Sequence, residues 1–399
     1  MLINSGKSLY RGLPFLRKEI LVLKKIFRQL HLWLGLISGI VVFLLAVTGC
    51  IYVFEQEIQN WTRKDLIYID SDKSRALPIS QLKEKVEEYI GPEKEISFVN
   101  IYKNPDKAWV FYLYKKKEGG ITYFQTIDYY QSVFVDPYKG TIIGKIDEET
   151  SFFNIIKMLH WSLLLKTEIG QPIIGWSTFV FVILLITGIV LWWPRNFRKA
   201  KNLFWIKWKK RTSFFRKLLD LHNVLGIYSA FIALVIALTG MVWAFRWFMG
   251  IVYVIASGTI TPPDLSRPES IVNQTSIESG IDKTFTDVQN RYADAAGLRV
   301  YLPKDSLESI SVYIQQKEGV YYESHQAYYD QYTGERLKER VHNDKNSGEK
   351  LITANYDIHT GAILGLPGKI IVFLASLFCA TLPVTGFLMW REKKRKRRK

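Results

Sequence analysis

Apolar residues are distributed unevenly along this chain of 399 residues. Four runs contain no Asp, Glu, Lys or Arg; they cover residues 32–54, 169–194, 223–245 and 370–390 and are 21 to 26 residues long. A helix of about 20 apolar residues is long enough to cross the hydrocarbon core of a bilayer. The pattern therefore predicts four transmembrane helices and excludes a soluble protein, although the mean hydropathy of the whole chain is only +0.01.

The net charge of +17 is concentrated in three basic segments, 1–28, 195–217 and 391–399, which together carry +23. Even numbers of predicted spans separate these segments, so all three lie on one side of the membrane, and the positive-inside rule makes that side cytoplasmic. Both termini are therefore expected in the cytoplasm, and the long segments 56–157 and 248–357 are expected outside. The basic charge indicates topology and not nucleic-acid binding.

These patterns divide the chain into nine segments: a basic N-terminus (1–28), a first transmembrane helix (29–55), a first extracytoplasmic domain (56–157), a second transmembrane helix with its lead-in (158–194), a basic loop (195–217), a third transmembrane helix (218–247), a second extracytoplasmic domain (248–357), a fourth transmembrane helix with its lead-in (358–390) and a basic tail (391–399). The two cysteines, Cys50 and Cys379, both lie inside predicted spans. Without disulfides, each outward domain is expected to fold on a hydrophobic core.

An internal repeat organises the sequence. The interval from His31 to Thr48 is 17 residues, as is the interval from His222 to Thr239, and a Gly follows each Thr. The second and fourth spans also end alike, because in each a Thr-Gly pair is followed by a Trp five residues after the Thr. These repeated intervals predict a duplicated chain whose two halves are equivalent and are related by an axis normal to the membrane.

The outward domains repeat as well. Asp-x-Tyr-x-Gly occurs at 136–140 and at 330–334, each time between residues of alternating polarity, a pattern typical of a β-hairpin turn. Helical periodicity precedes each hairpin, and strands follow the helices. The predicted helices are 79–89 and 277–292, and the predicted strands include 108–114 and 309–314. Each outward domain is therefore predicted to be α+β.

Four of the six histidines lie at or just before the start of a predicted span, at equivalent positions in the two halves. The predicted topology puts two near the cytoplasmic side and two near the outer side. Facing helices of a bundle commonly hold cofactors between them, and a low-spin six-coordinate haem needs one imidazole on each side of its iron. The sequence therefore predicts two haems, each with two axial histidines, and these metal ligands are His31 with His222 and His160 with His359.

Other interpretations of these histidines remain open. Each could be an interfacial side chain with no ligand role, and two imidazoles without a matching carboxylate or thiolate make a poor zinc site. The two remaining histidines, His325 and His342, lie in polar segments and are expected to be solvated. Candidate partners for haem propionates are the basic residues next to the spans, namely Arg28, Arg216, Lys217 and Lys369.

The Leu-His-x-x-Leu-Gly opening, the Thr-Gly span endings and the Asp-x-Tyr-x-Gly hairpins resemble the PepSY-associated transmembrane-helix proteins, often described as iron-regulated membrane proteins. The resemblance covers nearly the whole chain. It implies an α-helical polytopic protein of the bacterial inner membrane, internally duplicated, with four transmembrane helices and two extracytoplasmic α+β PepSY-like domains. It also implies two b-type haems and ferrisiderophore reduction, with the four helix-start histidines as haem ligands.

Three functions from different classes are compatible with these features. The first is a haem-dependent membrane oxidoreductase that conducts electrons to an extracytoplasmic ferric complex, such as a ferric siderophore, for iron acquisition. The second is a non-catalytic membrane anchor whose PepSY-like domains bind peptides or regulate a protease, and the third is a metal or siderophore transporter. The four uncharged runs contain no Asp or Glu, which argues against an ion pathway. No Gly-x-Gly-x-x-Gly motif follows a predicted strand, so a cytoplasmic donor or the quinone pool is expected to supply electrons.

Overall fold

The computed structural model describes residues 14–70, 75–194, 204–272 and 277–398. The chain forms two compact units. The first, here called the helical unit, contains residues 1–50, 173–241 and 371–399, and the second, here called the sheet unit, contains residues 51–172 and 242–370. Parts of the basic segments predicted at 1–28 and 195–217 lie outside the described residues.

Eleven α-helices occur in the described part of the chain. They are α1 (Pro14–Tyr52), α2 (Glu55–Thr62), α3 (Lys64–Ile67), α4 (Ile79–Ile90), α5 (Phe152–Ser162), α6 (Thr167–Trp192), α7 (Phe214–Ala244), α8 (Arg246–Ser257), α9 (Ile277–Arg291), α10 (Ser347–Thr360) and α11 (Gly365–Arg398). Four of them are long and apolar enough to cross a membrane, which confirms the four predicted spans and a multi-pass membrane protein. α1 begins at Pro14, before the uncharged run, because Lys and Arg are good helix formers and nothing breaks the helix there.

The helical unit is built from the membrane-spanning parts of α1, α6, α7 and α11. Small residues lie where these helices touch: Gly35 faces Leu184 of α6, and Gly226, its counterpart in the repeat, faces Leu382 of α11. Leu185, Ala233 and Cys379 form a small buried cluster between the helices. Close helix approach through small residues is the usual way that membrane helices associate.

The sheet unit contains eight antiparallel strands in one sheet. They are β1 (Ile96–Tyr102), β2 (Trp109–Lys116), β3 (Ile127–Val135), β4 (Ile142–Asp147), β5 (Gly297–Tyr301), β6 (Ile310–Lys317), β7 (Val320–Tyr329) and β8 (Arg336–Arg340). The strand order is β4-β3-β2-β1-β5-β6-β7-β8, so two four-stranded meanders join through the pairing of β1 with β5. The central register places Val99 opposite Val300 and Tyr102 opposite Gly297.

One face of this sheet is covered by α4 and α9, which pack side by side. Leu82 and Val86 of α4 and Ile281 of α9 are almost completely buried in a single hydrophobic cluster with strand residues from both meanders, such as Val99 and Val312. Both outward segments therefore fold on a hydrophobic core, as expected, and they contribute to the same one. Edge strands β1 and β5 bury their unpaired backbone groups by pairing with each other, and the two segments share one core.

The predicted hairpins, helices and strands of the sheet unit are present. Oδ1 of Asp136 accepts hydrogen bonds from the backbone amides two and three residues later in the chain. Oδ1 of Asp330 accepts the equivalent pair in the second hairpin. Gly140 and Gly334 close the two turns with φ values of 69° and 72°, a conformation that favours glycine. The sequence motif therefore encodes the turn through an aspartate side chain and a left-handed glycine.

Candidate functional site

The His31–His222 pair lies inside the helical unit. His31 projects from α1 and His222 from α7, and their ring centroids are 6.2 Å apart with the ring planes at 86°. Both rings line a cavity of about 620 Å³ enclosed by all four long helices. Cavities of this size bind cofactors and other small molecules in many proteins.

Each histidine of this pair is held by a threonine on a neighbouring helix. Nδ1 of His31 lies 3.0 Å from Oγ1 of Thr187, and Nδ1 of His222 lies 2.8 Å from Oγ1 of Thr385. The two threonines belong to the Thr-Gly pairs of the second and fourth spans. The repeated motif therefore positions an imidazole at the same place in each half of the bundle.

The threonine hydrogen bonds also assign the tautomer of each ring. The Thr187 hydroxyl donates to the carbonyl oxygen of Ile183 at 2.8 Å, and the Thr385 hydroxyl donates to that of Thr381 at 2.8 Å. Because each hydroxyl proton is used in its own helix, the threonine oxygen accepts the Nδ1–H of the histidine. Nε2 is then left as an unprotonated nitrogen, which is the form of imidazole that binds a metal.

The glycine after each threonine lies next to the same ring. A Cβ added at Gly188 would lie 3.3 Å from Cε1 of His31, and one added at Gly386 would lie 3.7 Å from Cε1 of His222. The first distance is tighter than normal carbon contacts, whereas the second is an ordinary van der Waals contact. Thr187-Gly188 therefore combines a hydrogen-bond acceptor for Nδ1 of His31 with space for the edge of its ring.

One end of the cavity is polar and basic. Arg28 and Lys393 both line the cavity and remain exposed. The indole Nε1 of Trp192, another lining residue, is buried and has no hydrogen-bond partner among the described residues. An unpaired buried donor costs free energy, so a ligand with an acceptor group at this end of the cavity would be stabilised.

The His160–His359 pair lies in the sheet unit. His160 is near the end of α5 and His359 near the end of α10, and their ring centroids are 6.1 Å apart at 73°. The indole of Trp243 packs edge-on against His359, with 5.1 Å between the ring centroids. The distance and angle between the two imidazoles thus repeat those of the His31–His222 pair.

The end of each helix that carries a histidine of this pair is fixed by an abrupt turn. After α5 the chain passes through Leu163 and Leu164, both with left-handed φ values of 57° and 58°. Left-handed backbone in non-glycine residues costs about 1 kcal/mol each, and the strain is offset by a hydrogen bond from the amide of Tyr123 to the Leu164 carbonyl at 2.8 Å. α10 ends similarly at Gly361, whose φ is 78°.

Charged side chains surround this part of the sheet unit. Burial raises the pKa of the Glu55 carboxyl and lowers the pKa of the Lys157 ammonium, although each charge favours the ionised form of the other. Arg63 makes two hydrogen bonds to Glu148, at 2.7 and 3.1 Å. Lys157 lies on α5, one helical turn before His160. The helix that carries this histidine therefore also carries a buried ionisable side chain.

The spacing of both histidine pairs fits a shared six-coordinate metal. A metal–imidazole bond is about 2 Å long, so two imidazoles on opposite sides of one metal have ring centroids about 6 Å apart. The observed separations are 6.2 and 6.1 Å. No cluster of three or more His, Cys, Asp or Glu side chains suited to a metal occurs in residues 14–70, 75–194, 204–272 and 277–398. A closed zinc site with four protein ligands is therefore not formed by the described residues.

The other residues singled out in the sequence have varied surroundings. Of the four basic candidates, Arg28 lines the cavity, Arg216 pairs with Asp220 at 2.9 Å, Lys217 lies over the ring of Trp208, and Lys369 pairs with Glu57 at 2.6 Å. The other two histidines are partly buried and not simply solvated, since the backbone amide of His342 donates to Nδ1 of His325 at 2.9 Å.

Three contributors to the site had no role assigned from the sequence. Thr187 and Thr385 belong to the repeated Thr-Gly pairs of the sequence. Each is followed by a Trp five residues later, and this repeated interval was the signal that could have suggested a role for the threonines. Trp243 had no such signal, because its packing against His359 depends on how α7 and α10 meet. The sequence identified the histidines and missed the residues that orient them.

The family model described as the PepSY-associated TM region matches residues 28–393 of this chain. No curated protein matches the chain. The matched range covers nearly the whole sequence and includes most or all of each long helix, the eight-stranded sheet and both histidine pairs. The chain therefore belongs to the PepSY-associated transmembrane family.

Proposed function

We propose that this protein is a di-haem electron conduit of the bacterial inner membrane that reduces an extracytoplasmic ferric complex, such as a ferric siderophore. The observation that carries the proposal is the spacing of the two histidine pairs, with ring centroids 6.2 and 6.1 Å apart. Their equivalent positions in the sequence support an internally duplicated chain with two PepSY-like segments that share the sheet. The predicted topology assigns both termini to the cytoplasm and one histidine pair to each side of the membrane.

The residues of the helical unit would each contribute to holding a haem. His31 and His222 would hold its iron through their Nε2 atoms, and Thr187 and Thr385 hold the Nδ1 protons so that both Nε2 atoms stay available. Arg28 and Lys393 would pair with the propionates, and Trp192 would donate its unpartnered Nε1–H. When bound, haem iron supplies reversible one-electron chemistry.

The chemistry of the substrate follows from ligand hardness. Hard oxygen chelators favour Fe³⁺ over Fe²⁺, so adding one electron to the ferric complex weakens its chelation and releases ferrous iron. The electron comes from a cytoplasmic reductant or from the quinone pool. Two histidine pairs would divide the hydrocarbon thickness of about 30 Å into shorter transfer distances.

An absorption spectrum of the purified full-length protein in detergent tests this proposal. We expect a Soret band in the oxidised form and sharp α and β bands after dithionite reduction, with two haems per chain by haemochrome assay. The chain has no Cys-x-x-Cys-His motif, so acid–acetone should extract the haem. A preparation made under haem-replete conditions that lacks a Soret band would overturn the conduit and favour the membrane-anchor function.

A second experiment separates conduction from transport. The protein is reconstituted in vesicles with reductant inside and a ferric chelate outside, and Fe²⁺ is captured outside by a chromogenic chelator. We expect Fe²⁺ to appear outside while the iron content of the lumen stays constant. Accumulation of iron inside the vesicles without reduction would instead identify a transporter.

A further inference from the structure

The face of the sheet opposite α4 and α9 carries a smaller hydrophobic cluster over strands β2 to β4, and aromatic and polar side chains over its central strands. The strand register places Phe98 opposite Tyr112 on one side and Tyr301 on the other. On the same face, it places Arg299 of β5 between two neighbours, with Asn100 of β1 opposite it on one side and Tyr313 of β6 on the other. We call these six residues the aromatic face.

The rings of the aromatic face are packed in a layer. Phe98 and Tyr112 are stacked, with 4.6 Å between centroids and 14° between planes, and Tyr301 lies 5.5 Å from Phe98. The guanidinium of Arg299 lies over Phe98, 5.0 Å from its centroid. The partly exposed ring of Tyr301 therefore lies beside one delocalised cation, a combination that binds planar anions.

Arg299 has no carboxylate partner among the described residues. Its Nε donates to the amide oxygen of Asn100 at 2.8 Å, which is a neutral group. Nearby carboxylates have other partners. Glu148 pairs with Arg63, Glu318 pairs with Lys107, and Asp357 accepts hydrogen bonds from the amides of Tyr321 and Tyr322. A half-buried cation without a counter-ion has lost part of its hydration, and an anionic ligand would compensate it.

One tyrosine beside this cation remains a hydrogen-bond donor. Burial raises the pKa of Tyr112 above the usual value, so its hydroxyl keeps its proton at physiological pH, whereas the Tyr313 hydroxyl already donates to the backbone carbonyl of Tyr321 at 2.6 Å. Tyr301 is 39% exposed, so the layer is open to solvent at that side chain. On the flank of the face, Leu66 and Ile67 of α3 pack over strands β2 to β4, which leaves the central strands β1, β5 and β6 between the covering helices.

A line of touching rings connects the His160–His359 pair to this region. Trp243 lies 5.1 Å from His359 and 6.4 Å from Tyr356, and Tyr356 lies 5.3 Å from Tyr321. The hydroxyl of Tyr313, on the aromatic face, donates to the backbone carbonyl of Tyr321 at 2.6 Å. The contacts that start at the histidine pair therefore reach the aromatic face through Tyr321 and this hydrogen bond.

We infer that the aromatic face is the docking site for the ferric substrate, and that this substrate is an anionic ferric chelate with aromatic, catecholate-type iron ligands. The guanidinium of Arg299 would neutralise the complex, Tyr301 would stack on one of its rings, and Tyr112 would donate a hydrogen bond to one of its oxygens. The inference rests on the proposed reductase function for its biological meaning, but binding itself does not depend on haem.

Binding to the full-length protein in detergent tests the inference, with a hexadentate tris-catecholate ferric complex as the probe and thermophoresis as the readout. We expect Arg299→Gln to raise Kd by about tenfold or more, because charge-assisted contacts are the strong ones. Arg299→Lys keeps the cation and should lose less. Arg340→Gln is the matched control, since that guanidinium on the same sheet is already paired with Glu349.

Two further probes test the two parts of the recognition. If the charge of the ligand contributes, a neutral tris-hydroxamate ferric complex should bind at least tenfold more weakly than the tris-catecholate complex. If aromatic stacking contributes, ferric citrate, which is anionic but has no aromatic ring, should also bind at least tenfold more weakly. Equal binding of all three probes, or equal binding by wild type and Arg299→Gln, would overturn the inference. Circular dichroism and the Soret band are recorded for each variant, and Arg299→Lys provides the answer if Arg299→Gln fails to fold.

The same preparations distinguish this inference from the proposed function. Arg299-dependent binding by a protein that contains no haem would retain the docking site and refute the conduit. Haem-dependent reduction of ferric chelates that is indifferent to Arg299 would retain the conduit and refute the docking site.

Discussion

Thr187→Val gives the sharpest test of how the histidines are held. Valine has nearly the shape of threonine, so the change removes the hydroxyl that accepts from Nδ1 of His31 at 3.0 Å and little else. Thr187 is only 4% exposed, so water cannot replace it. A buried donor left without an acceptor costs about 1–3 kcal/mol. Loss of such an outer partner lowers metal affinity about 10–100-fold, which corresponds to about 1.4–2.7 kcal/mol.

The assay measures haem occupancy and midpoint potential of the purified variant. On dilution, we expect the Thr187→Val variant to lose the haem held by His31 and His222 and to keep the other one. Before dilution, the haem at the His31–His222 site should have a more positive midpoint potential than in the wild type, because the ligand nitrogen of His31 becomes less basic. Thr187→Ser should restore both values. Thr178→Val is the control, since the Thr178 hydroxyl lies on the same helix, is equally buried and donates only to the Ile174 carbonyl. Identical haem loss in the Thr178 and Thr187 variants would refute the positioning role.

Three other outcomes are expected. Replacing either His31 or His222 with Ala should remove the same haem by optical spectroscopy and leave the other intact, whereas loss of different haems would contradict the pairing. In protein without native cysteines, a cysteine at Asn343 should react with an impermeant maleimide in cells with an opened outer membrane, and one at Lys207 should not; the reverse would refute the predicted topology. Burial, with Arg340 and Lys350 nearby, lowers the pKa of Lys345 to about 8. Below that pH the charged ammonium therefore destabilises the folded state relative to the unfolded state. Lys345→Met should therefore raise the unfolding temperature at pH 7 by an amount equivalent to about 1–2 kcal/mol, and this gain should fade as pH rises from 8 to 10. A gain that is constant with pH would contradict this cause.

The local elements were predictable because their causes are local. Uncharged runs of about 20 residues specify membrane-spanning helices through hydrophobicity and length alone. Asp136 and Asp330 specify their turns through bonds to amides two and three residues away. The histidine pairs were predictable for a different reason, since a repeat copies position as well as residue type.

The union of the two meanders was not predictable, because pairing between β1 and β5 joins residues about 200 positions apart and leaves no mark on the spacing within either strand.

The sequence by itself determined the number of spans, the turns and the identity of the four histidines, because periodicity, length and local hydrogen bonding fix these properties. Only the tertiary structure decided that Thr187 and Thr385 orient two of those histidines and that Trp243 packs on a third. It also decided that Arg299 lies among tyrosines without a carboxylate partner in the described residues. These relations depend on contacts between distant segments, and hydrophobic pattern constrains which face of an element is buried but not which partner it meets.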